Sequence, residues 1–219
     1  ILLSADAHPA DDKWLAEMVT PFQNSSVGVV YGRQEPRADA PIDERARLAR
    51  TFGSEPRTYR RQTDNISQMS SGYSFSNACA AIRASLWAQI QYDETLLGGE
   101  EVKWTSSILE RGFLAIYNPK ARVLHSHNDS IRRHVWREWE IFEKNRVVSG
   151  DRKSIWKVLR TGASLVRRRV QSCFVVPGAF SSKVIGLARL PVEVFMFVSI
   201  GTVNLYAPWA RRMRYWFWR

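Results

Sequence analysis

Two adjacent carboxylates, Glu100 and Glu101, stand near the start of the stretch GGEEVKWTSSILERGF, which begins at Gly98. The apolar periodicity after them and the later Gly112 predict a helix that opens at these glutamates. The positive end of a helix dipole stabilises a nearby carboxylate by about 0.3–1 kcal/mol, which alone would explain the pair. The alternative is chemical. Desolvation and a like-charged neighbour raise the pKa of a glutamate above about 4.3, which makes it a better proton acceptor.

A second set of polar side chains has the chemistry to bind a divalent cation. Asp6 ends the apolar run ILLSADA, while His125 and His127 follow the strand-like run ARVLH. Ligands gather at the carboxyl ends of strands in open α/β sheets, and a carboxylate there can hold a hard cation. Alternation along a strand places both histidines on one face, although two histidines alone do not define a metal site. A role for Asp6 as a helix cap remains the alternative.

The elements that must position these side chains alternate between strand-like and helix-like patterns, which predicts an α/β fold. ILLSADA is expected to be a central strand, and residues 26–33 are expected to be a second strand. FLAIYNPKARVLHSH is expected to form two short strands around an Asn-Pro turn. The apolar residues of SIRRHVWREWEIFEKNRVV recur at helical spacing and predict an amphipathic helix.

Polar residues dominate positions 33–72, with a possible helix at residues 43–52. A segment of this length between core elements is usually either a binding loop or disordered. Arg33, Arg37 and Arg45 lie within it. Their guanidinium groups have the geometry to clamp a diphosphate, and the alternative is an ordinary solvated surface.

The charge of the chain is unevenly distributed. The 219 residues carry a net charge of +11, and residues 150–219 hold 13 basic and two acidic side chains, which accounts for the whole excess. This asymmetry predicts a boundary near Gly150 and an anionic partner for the C-terminal region. Cys79 and Cys173 are too few and too far apart for a disulfide framework or a zinc cluster, which favours a reducing compartment.

The C-terminal region mixes arginines with aromatic residues. Its apolar stretch at residues 194–206 is shorter than the roughly 20 residues that span a bilayer. An interfacial helix or a re-entrant segment on an anionic membrane surface is therefore expected. A core helix pair with a solvated basic end, or a membrane-spanning segment, remains open. Nucleic-acid binding is not expected, because long apolar runs separate the arginines.

In their order along residues 1–130, these motifs resemble the family 2 glycosyltransferases with the GT-A fold, especially the bacterial rhamnosyltransferase-like branch. The resemblance rests on LLSADAHP, VVYGRQEPR, SFSNACAAIRASLW, YDETLLGGEEVKW and ERGFLAIYNPKARVLHSHN. It implies inverting sugar transfer from a nucleotide-sugar donor to a hydroxyl group of a glycan or lipid-linked acceptor. The nucleotide-binding strands of the family precede the first motif. We therefore expect an N-terminally truncated piece that is inactive on its own.

The resemblance also implies roles for individual residues on the acceptor and donor sides. Glu101 matches the general base, a position where the family usually has Asp. Glu100 matches a partner that contacts the acceptor, and Trp104 matches a wall of the acceptor site. The donor-side contacts that the resemblance implies are Asp6, Arg33, Gln34 and Asn77.

The same resemblance implies a metal site that holds Mg²⁺ or Mn²⁺. Asp6 matches the metal-binding carboxylate of the family, while Ser4 replaces the family's first Asp. His125 falls where related enzymes place a further ligand, and His127 is the less expected choice. The metal would stabilise the departing nucleotide diphosphate.

The predicted organisation is a glycosyltransferase domain at residues 1–149 and a helical, membrane-associating region at residues 150–219. The expected location is the cytoplasmic face of a bacterial inner membrane. Two other functions stay open. One is a metal-dependent hydrolase built on Asp6, His125 and His127, and the other is a non-catalytic relic that binds carbohydrate or membrane.

Overall fold

The computed structural model describes residues 1–60, 75–94, 96, 99–148, 154–175 and 180–206. These residues form two compact units. The first contains Ile1–Ala40 and the described residues of Glu44–His127, and the second contains Pro41–Asp43 and the described residues from Asn128 onward. Gly150, where the charge distribution predicts a boundary, lies outside the described residues. The division into residues 1–149 and 150–219 stays a prediction.

The first unit contains one sheet of six strands, in the order β1-β5-β3-β6-β2, with β4 also paired to β6. The sheet is mixed, since β3 and β6 are parallel and the other pairs are antiparallel. The predicted α/β class is confirmed at this level. The strands are β1 (Leu2–Leu3), β2 (His8–Pro9), β3 (Val27–Glu35), β4 (Arg57–Tyr59), β5 (Cys79–Ile82) and β6 (Leu114–Leu124).

Seven α-helices occur among the described residues, and a short 3₁₀ helix at Thr20–Gln23 follows the first of them. The segment at residues 33–72, expected to be mostly loop, includes the end of β3, one helix and β4. The helices are α1 (Trp14–Val19), α2 (Ile42–Thr51), α3 (Ala84–Trp87), α4 (Glu100–Glu110), α5 (Ile131–Val148), α6 (Ile155–Val175) and α7 (Phe180–Tyr206).

ILLSADA contributes only the two-residue strand β1, which lies at one end of the strand order among the described residues. The expectation of a central strand was therefore wrong. The chain leaves the sheet after Leu3, because the N–H of Ala7 donates to the carbonyl oxygen of Ser4 at 2.9 Å and closes a turn. This early turn places Asp6 outside the strand, and its side chain is 48% exposed.

Helix α1 packs on the sheet through Trp14 and Met18, which contact the buried side chains of Val30, Cys79 and Val123. The indole N–H of Trp14 donates to the Sγ of Cys79 at 3.3 Å. Burial raises the pKa of the Cys79 thiol, so the thiol stays neutral in this core. β3 lies between β5 and β6 in the sheet, where a strand is covered on both faces, and this position explains its apolar run.

The run FLAIYNPKARVLHSH forms one strand, β6, rather than the two strands expected around an Asn-Pro turn. The pairing with β3 shifts between Gly32 and Arg33: Gly32 faces Asn118, and Arg33 faces Arg122. Pro119 sits in this irregularity, where its missing N–H does not cost a ladder hydrogen bond. The side chain of Asn118 accepts a hydrogen bond from the N–H of Lys120 at 3.1 Å, which supports the local bend.

The register shift between β3 and β6 requires a glycine at position 32. Gly32→Ala is therefore expected to lower the free energy of unfolding by about 2–4 kcal/mol. A methyl group at this position would overlap the carbonyl oxygen of Ala121 and come within 2.5 Å of the Cys79 Sγ. Urea denaturation would measure the change. The matched control is Gly53→Ala, whose methyl group would meet, among the described residues, only the end of the long Arg57 side chain, at 3.1 Å. Equal stability of Gly32→Ala and wild type would contradict the close packing.

The second unit has a core of Val135, Trp139, Val158 and Phe197, contributed by α5, α6 and α7. The amphipathic helix predicted from SIRRHVWREWEIFEKNRVV is confirmed as α5. Cys173 is also buried in this unit. Among the described helices, none combines the length and the apolar character that crossing a membrane requires.

An ion-pair cluster is also buried in the second unit. The guanidinium group of Arg169 on α6 contacts Glu193 of α7 at 2.6 Å and Asp43 at 3.0 Å. The side chains of Arg169 and Glu193 are 6% and 4% exposed. A buried charge of either sign is costly without a partner, so this cluster fixes how α6 and α7 face each other.

Candidate active site

Asp6, His125 and His127 converge in the first unit. The Nε2 of His125 lies 3.3 Å from Oδ1 of Asp6, and the Nδ1 of His127 lies 3.9 Å from Oδ2 of Asp6. One ligand atom from each residue lies within 4.8 Å of the others. Strand pairing explains the convergence, because β2 and β6 place His8 opposite Leu124 and so bring the turn before β2 beside the end of β6.

His125 is held by neighbouring groups at the ends of β3 and β6. Its side chain is 9% exposed, its Nδ1 lies 2.8 Å from Oε1 of Gln34, and its backbone N–H donates to the carbonyl oxygen of Glu35. Burial lowers the pKa of His125, partly offset by the Asp6 carboxylate, which favours the neutral ring. With Nδ1–H donating to the Gln34 amide oxygen, the lone pair of Nε2 faces Asp6, which is the arrangement that a metal-binding histidine needs.

His127 depends on a buried carboxylate that the sequence pattern did not single out. The backbone N–H of His127 donates to Oε1 of Glu44 at 3.3 Å, and the Glu44 side chain is 2% exposed. Glu44 also forms two hydrogen bonds with the guanidinium group of Arg47 on α2. On a helix, a Glu and an Arg three positions apart resemble an ordinary surface pair, so no local pattern indicates this support.

The three arginines proposed as a diphosphate clamp lie in different environments. Arg33 is in β3 and contacts Glu35 at 3.4 Å, with 34% of its side chain exposed. Arg37 donates to the backbone carbonyl oxygen of Asp6. Arg45 donates to the backbone carbonyl oxygens of Ala38 and Ala40, and these hydrogen bonds stabilise the backbone before α2. Arg33 and Arg37 therefore both lie at the carboxyl-terminal end of β3, while Arg45 has a structural role.

The predicted helix at the glutamate pair is confirmed, since α4 begins at Glu100. Gly99, directly before it, has a φ of 84°, a left-handed conformation that a residue with a side chain seldom adopts. Gly98 lies outside the described residues. The first turn of α4 therefore carries both carboxylates beside the free N–H groups of the helix end, as the dipole argument requires.

Tyr92 bonds Asn77 and lies close enough to the glutamate pair to be affected by its charge. Its hydroxyl group donates to Oδ1 of Asn77 at 2.8 Å. Burial raises the pKa of Tyr92 to about 12, and the nearby carboxylates of Glu101 and Glu100 contribute in the same direction. Tyr92 therefore remains a neutral hydrogen-bond donor at physiological pH, beside two acidic side chains.

A cavity of about 510 Å³ opens beside the start of α4. Trp104, predicted to be a wall of this region, is only 2% exposed, and its indole N–H donates to the carbonyl oxygen of Ile90 at 2.7 Å. Its ring packs behind Trp87 and Tyr92. The residues that line the cavity itself are Trp87, Gln91, Tyr92, Asp93, Glu94, Leu96 and Glu100. Their aromatic rings and carboxylates are suited to a polyhydroxylated ligand.

Strand pairing and one side-chain hydrogen bond relate the histidine cluster to the region of the carboxylate pair. Leu3 pairs with Cys79, and the N–H of Ser4 donates to the carbonyl oxygen of Ala78 at 3.4 Å. This pairing places Asn77 beside the turn that carries Asp6, and Asn77 in turn bonds Tyr92. Both groups of side chains therefore lie at the same end of β1 and β5, within one unit.

Two curated proteins are similar to this chain in sequence, while no family model matches it. The chain is 29% identical over 131 residues to the O-antigen chain rhamnosyltransferase RfbN of Salmonella typhimurium, covering 58% of this chain and 41% of that protein. It is 28% identical over 143 residues to the O-antigen chain rhamnosyltransferase WbaN of Salmonella anatum, covering 64% of this chain and 44% of that protein. The chain thus spans less than half the length of these two relatives. The similarities support a relationship to glycosyltransferases.

Proposed function

We propose that this chain contributes the catalytic part of an inverting glycosyltransferase of family 2, with a GT-A fold. The reaction moves a sugar from a nucleotide-diphosphate donor to a hydroxyl group of a glycan or lipid-linked acceptor. The observation that carries the proposal is that Asp6, His125 and His127 converge in the same unit as the glutamate pair, whose neighbour Tyr92 bonds Asn77. The similarity to two O-antigen rhamnosyltransferases supports it.

The residues present fit a divalent cation. Asp6 offers a carboxylate oxygen, and His125 and His127 each offer an imidazole nitrogen. These three ligand atoms lie within 4.8 Å of one another. A mixed oxygen and nitrogen set suits Mn²⁺ better than Mg²⁺, which prefers oxygen ligands alone. When bound, the cation would neutralise charge on the leaving diphosphate.

On the donor side, Arg33 and Asn77 are proposed to contact the nucleotide sugar together with Asp6. The Arg33 guanidinium is one-third exposed and retains N–H groups beyond its contact with Glu35. Gln34 acts through His125, since its amide oxygen lies 2.8 Å from Nδ1 of that ring. Gln34 is therefore proposed as a positioning residue for the cation-binding set.

On the acceptor side, Glu101 is proposed as the general base. It takes the proton of the acceptor hydroxyl as that oxygen attacks the anomeric carbon from the face opposite the diphosphate. Glu100 lines the cavity and would accept hydrogen bonds from the acceptor sugar. Trp87 and Tyr92 present aromatic rings to the same cavity, where the C–H face of a sugar would pack, and Trp104 holds both rings from behind.

The names of the relatives lead us to propose rhamnose as the transferred sugar and bacterial O-antigen as the product. The proposed site of this reaction is the cytoplasmic face of the inner membrane, where a lipid-linked acceptor would be available. Each of these assignments depends on the glycosyltransferase proposal.

A transfer assay with the complete protein tests the proposal. We expect it to release nucleoside diphosphate from a nucleotide-diphosphate rhamnose only when a glycan acceptor and Mn²⁺ are present, with the sugar recovered on the acceptor in inverted configuration. Release without an acceptor would instead support a metal-dependent hydrolase, which the set of Asp6, His125 and His127 also suits. Binding of sugar without turnover would support a non-catalytic relic.

A further inference from the structure

The second unit exposes large apolar side chains on two helices. Trp156 and Phe174 of α6 are 76% and 83% exposed, and Phe180 and Phe195 of α7 are 82% and 73% exposed. Monomeric soluble proteins scatter single apolar residues over their surfaces, but they seldom align several of them. The alignment along each helix is therefore informative.

On α6, the exposed apolar residues repeat at helical spacing. From Trp156 to Phe174, each exposed apolar residue follows the previous one by three or four positions, so all of them share one face of the helix. Arg160 and Arg167, both exposed, lie seven residues apart along one edge of this stripe. The α6 stripe consists of Trp156, Leu159, Ala163, Val166, Val170 and Phe174.

On α7, the exposed side between Phe180 and Phe195 is apolar throughout the residues whose side chains are described. The charged residues of this part of the helix, Lys183, Arg189 and Glu193, are buried or partly buried. The α7 stripe consists of Phe180, Val184, Leu187, Val192 and Phe195.

The stripes are not the surfaces through which the helices pack on each other. Val158 and Phe197 belong to the core of the unit, and Arg169 pairs with Glu193 across the interface of α6 and α7. On each helix these buried residues lie on the side away from the stripe. The α6 and α7 stripes therefore remain exposed once the unit has folded.

We propose that the α6 and α7 stripes form a docking surface for an anionic phospholipid bilayer. The charge argues for lipid rather than for a second apolar protein face, because residues 150–219 carry 13 basic side chains against two acidic ones. Arg160 and Arg167 border the α6 stripe at the position where anionic head groups would meet the edge of a shallowly inserted helix. Trp156 suits the interface between head groups and acyl chains. Aromatic side chains buried to head-group depth supply the apolar part of such binding.

Flotation of the full chain with vesicles tests this inference. The chain is expected to float with vesicles of phosphatidylcholine and phosphatidylglycerol, and to bind pure phosphatidylcholine at least about ten-fold more weakly. The variant Trp156→Gln/Phe174→Gln/Phe195→Gln is expected to lose at least about ten-fold in vesicle binding. It should still fold, since each of these side chains is mostly exposed. Unchanged circular dichroism would verify this.

Two further variants separate apolar from electrostatic contributions. Arg160→Gln/Arg167→Gln is expected to weaken binding to the anionic vesicles alone. The matched control, Ser164→Ala/Gln171→Ala, alters exposed residues of α6 outside the stripe and should bind as wild type does. Wild-type binding by the triple variant would overturn the proposal, as would a preference for RNA over vesicles. A wild-type dimer that the triple variant dissociates, without any change in vesicle binding, would identify a second copy of the chain as the occupant.

Discussion

Replacing Glu101 with glutamine is expected to lower the rate of sugar transfer by the complete protein by about 10²–10⁴-fold, with donor affinity essentially unchanged. Glutamine keeps the shape of the side chain but cannot accept the proton of the attacking hydroxyl. Single-turnover kinetics would measure the transfer step, and titration with the nucleoside diphosphate would measure donor binding. A general base acts in the transition state, so the loss should appear in kcat rather than in donor affinity.

The helix that carries Glu101 supplies its own control. Glu110 lies at the other end of α4 and is exposed, so Glu110→Gln removes the same charge from the same helix away from the proposed site. It should transfer sugar at the wild-type rate. Glu101→Asp restores a carboxylate one methylene shorter, and is expected to retain more activity than Glu101→Gln. Equal transfer rates for Glu101→Gln and wild type would remove this residue from the mechanism.

The second large effect is expected at Asp6. Asp6→Asn should weaken Mn²⁺ binding by at least about ten-fold and slow sugar transfer by at least about 10²-fold. The substitution removes the single negative charge of the set formed with His125 and His127. The side chain of Asp6 is 48% exposed, so the change should leave the fold intact. Isothermal titration with Mn²⁺ would measure affinity independently of activity.

Asp12→Asn is the matched control for this prediction. Asp12 is an exposed aspartate a few residues further along the chain and is not a member of the cation-binding set. Its variant should bind Mn²⁺ and transfer sugar like the wild type. The metal assignment would fail if Asp6→Asn bound Mn²⁺ with wild-type affinity, even if its activity were low.

Local patterns in the sequence predicted those features that depend on spacing along one segment. The start of α4 at the glutamate pair is one such feature. The glycine before the pair and the apolar residues at helical spacing after it together define where the helix begins. His125 and His127 lie near each other because two positions along a strand end share a face. The amphipathic pattern of α5 likewise matches its burial.

Features that depend on pairing between distant segments could not be predicted in this way. Asn118 and Pro119 have the composition of a turn, yet the parallel pairing of β6 with β3 keeps them inside one strand through a shift in register. Trp104 was predicted to line a ligand site, but it is buried. Its packing against Trp87 of α3 and its hydrogen bond to Ile90 in the following loop decide this, and local sequence spacing does not report either contact. Glu44 supports His127 across 83 residues of sequence, a separation that no local pattern reports.

The two buried cysteines give each unit its own chemical reporter. Cys79 lies in the core of the first unit and Cys173 in the second, and both are free thiols. An exposed thiolate attacks alkylating reagents as a nucleophile, so each cysteine should react only when the structure around it opens. Mass spectrometry of the labelled peptides would then give two separate opening rates from one native sample, without any engineered probe. The chain therefore already contains the means to determine whether its two halves unfold together or one after the other.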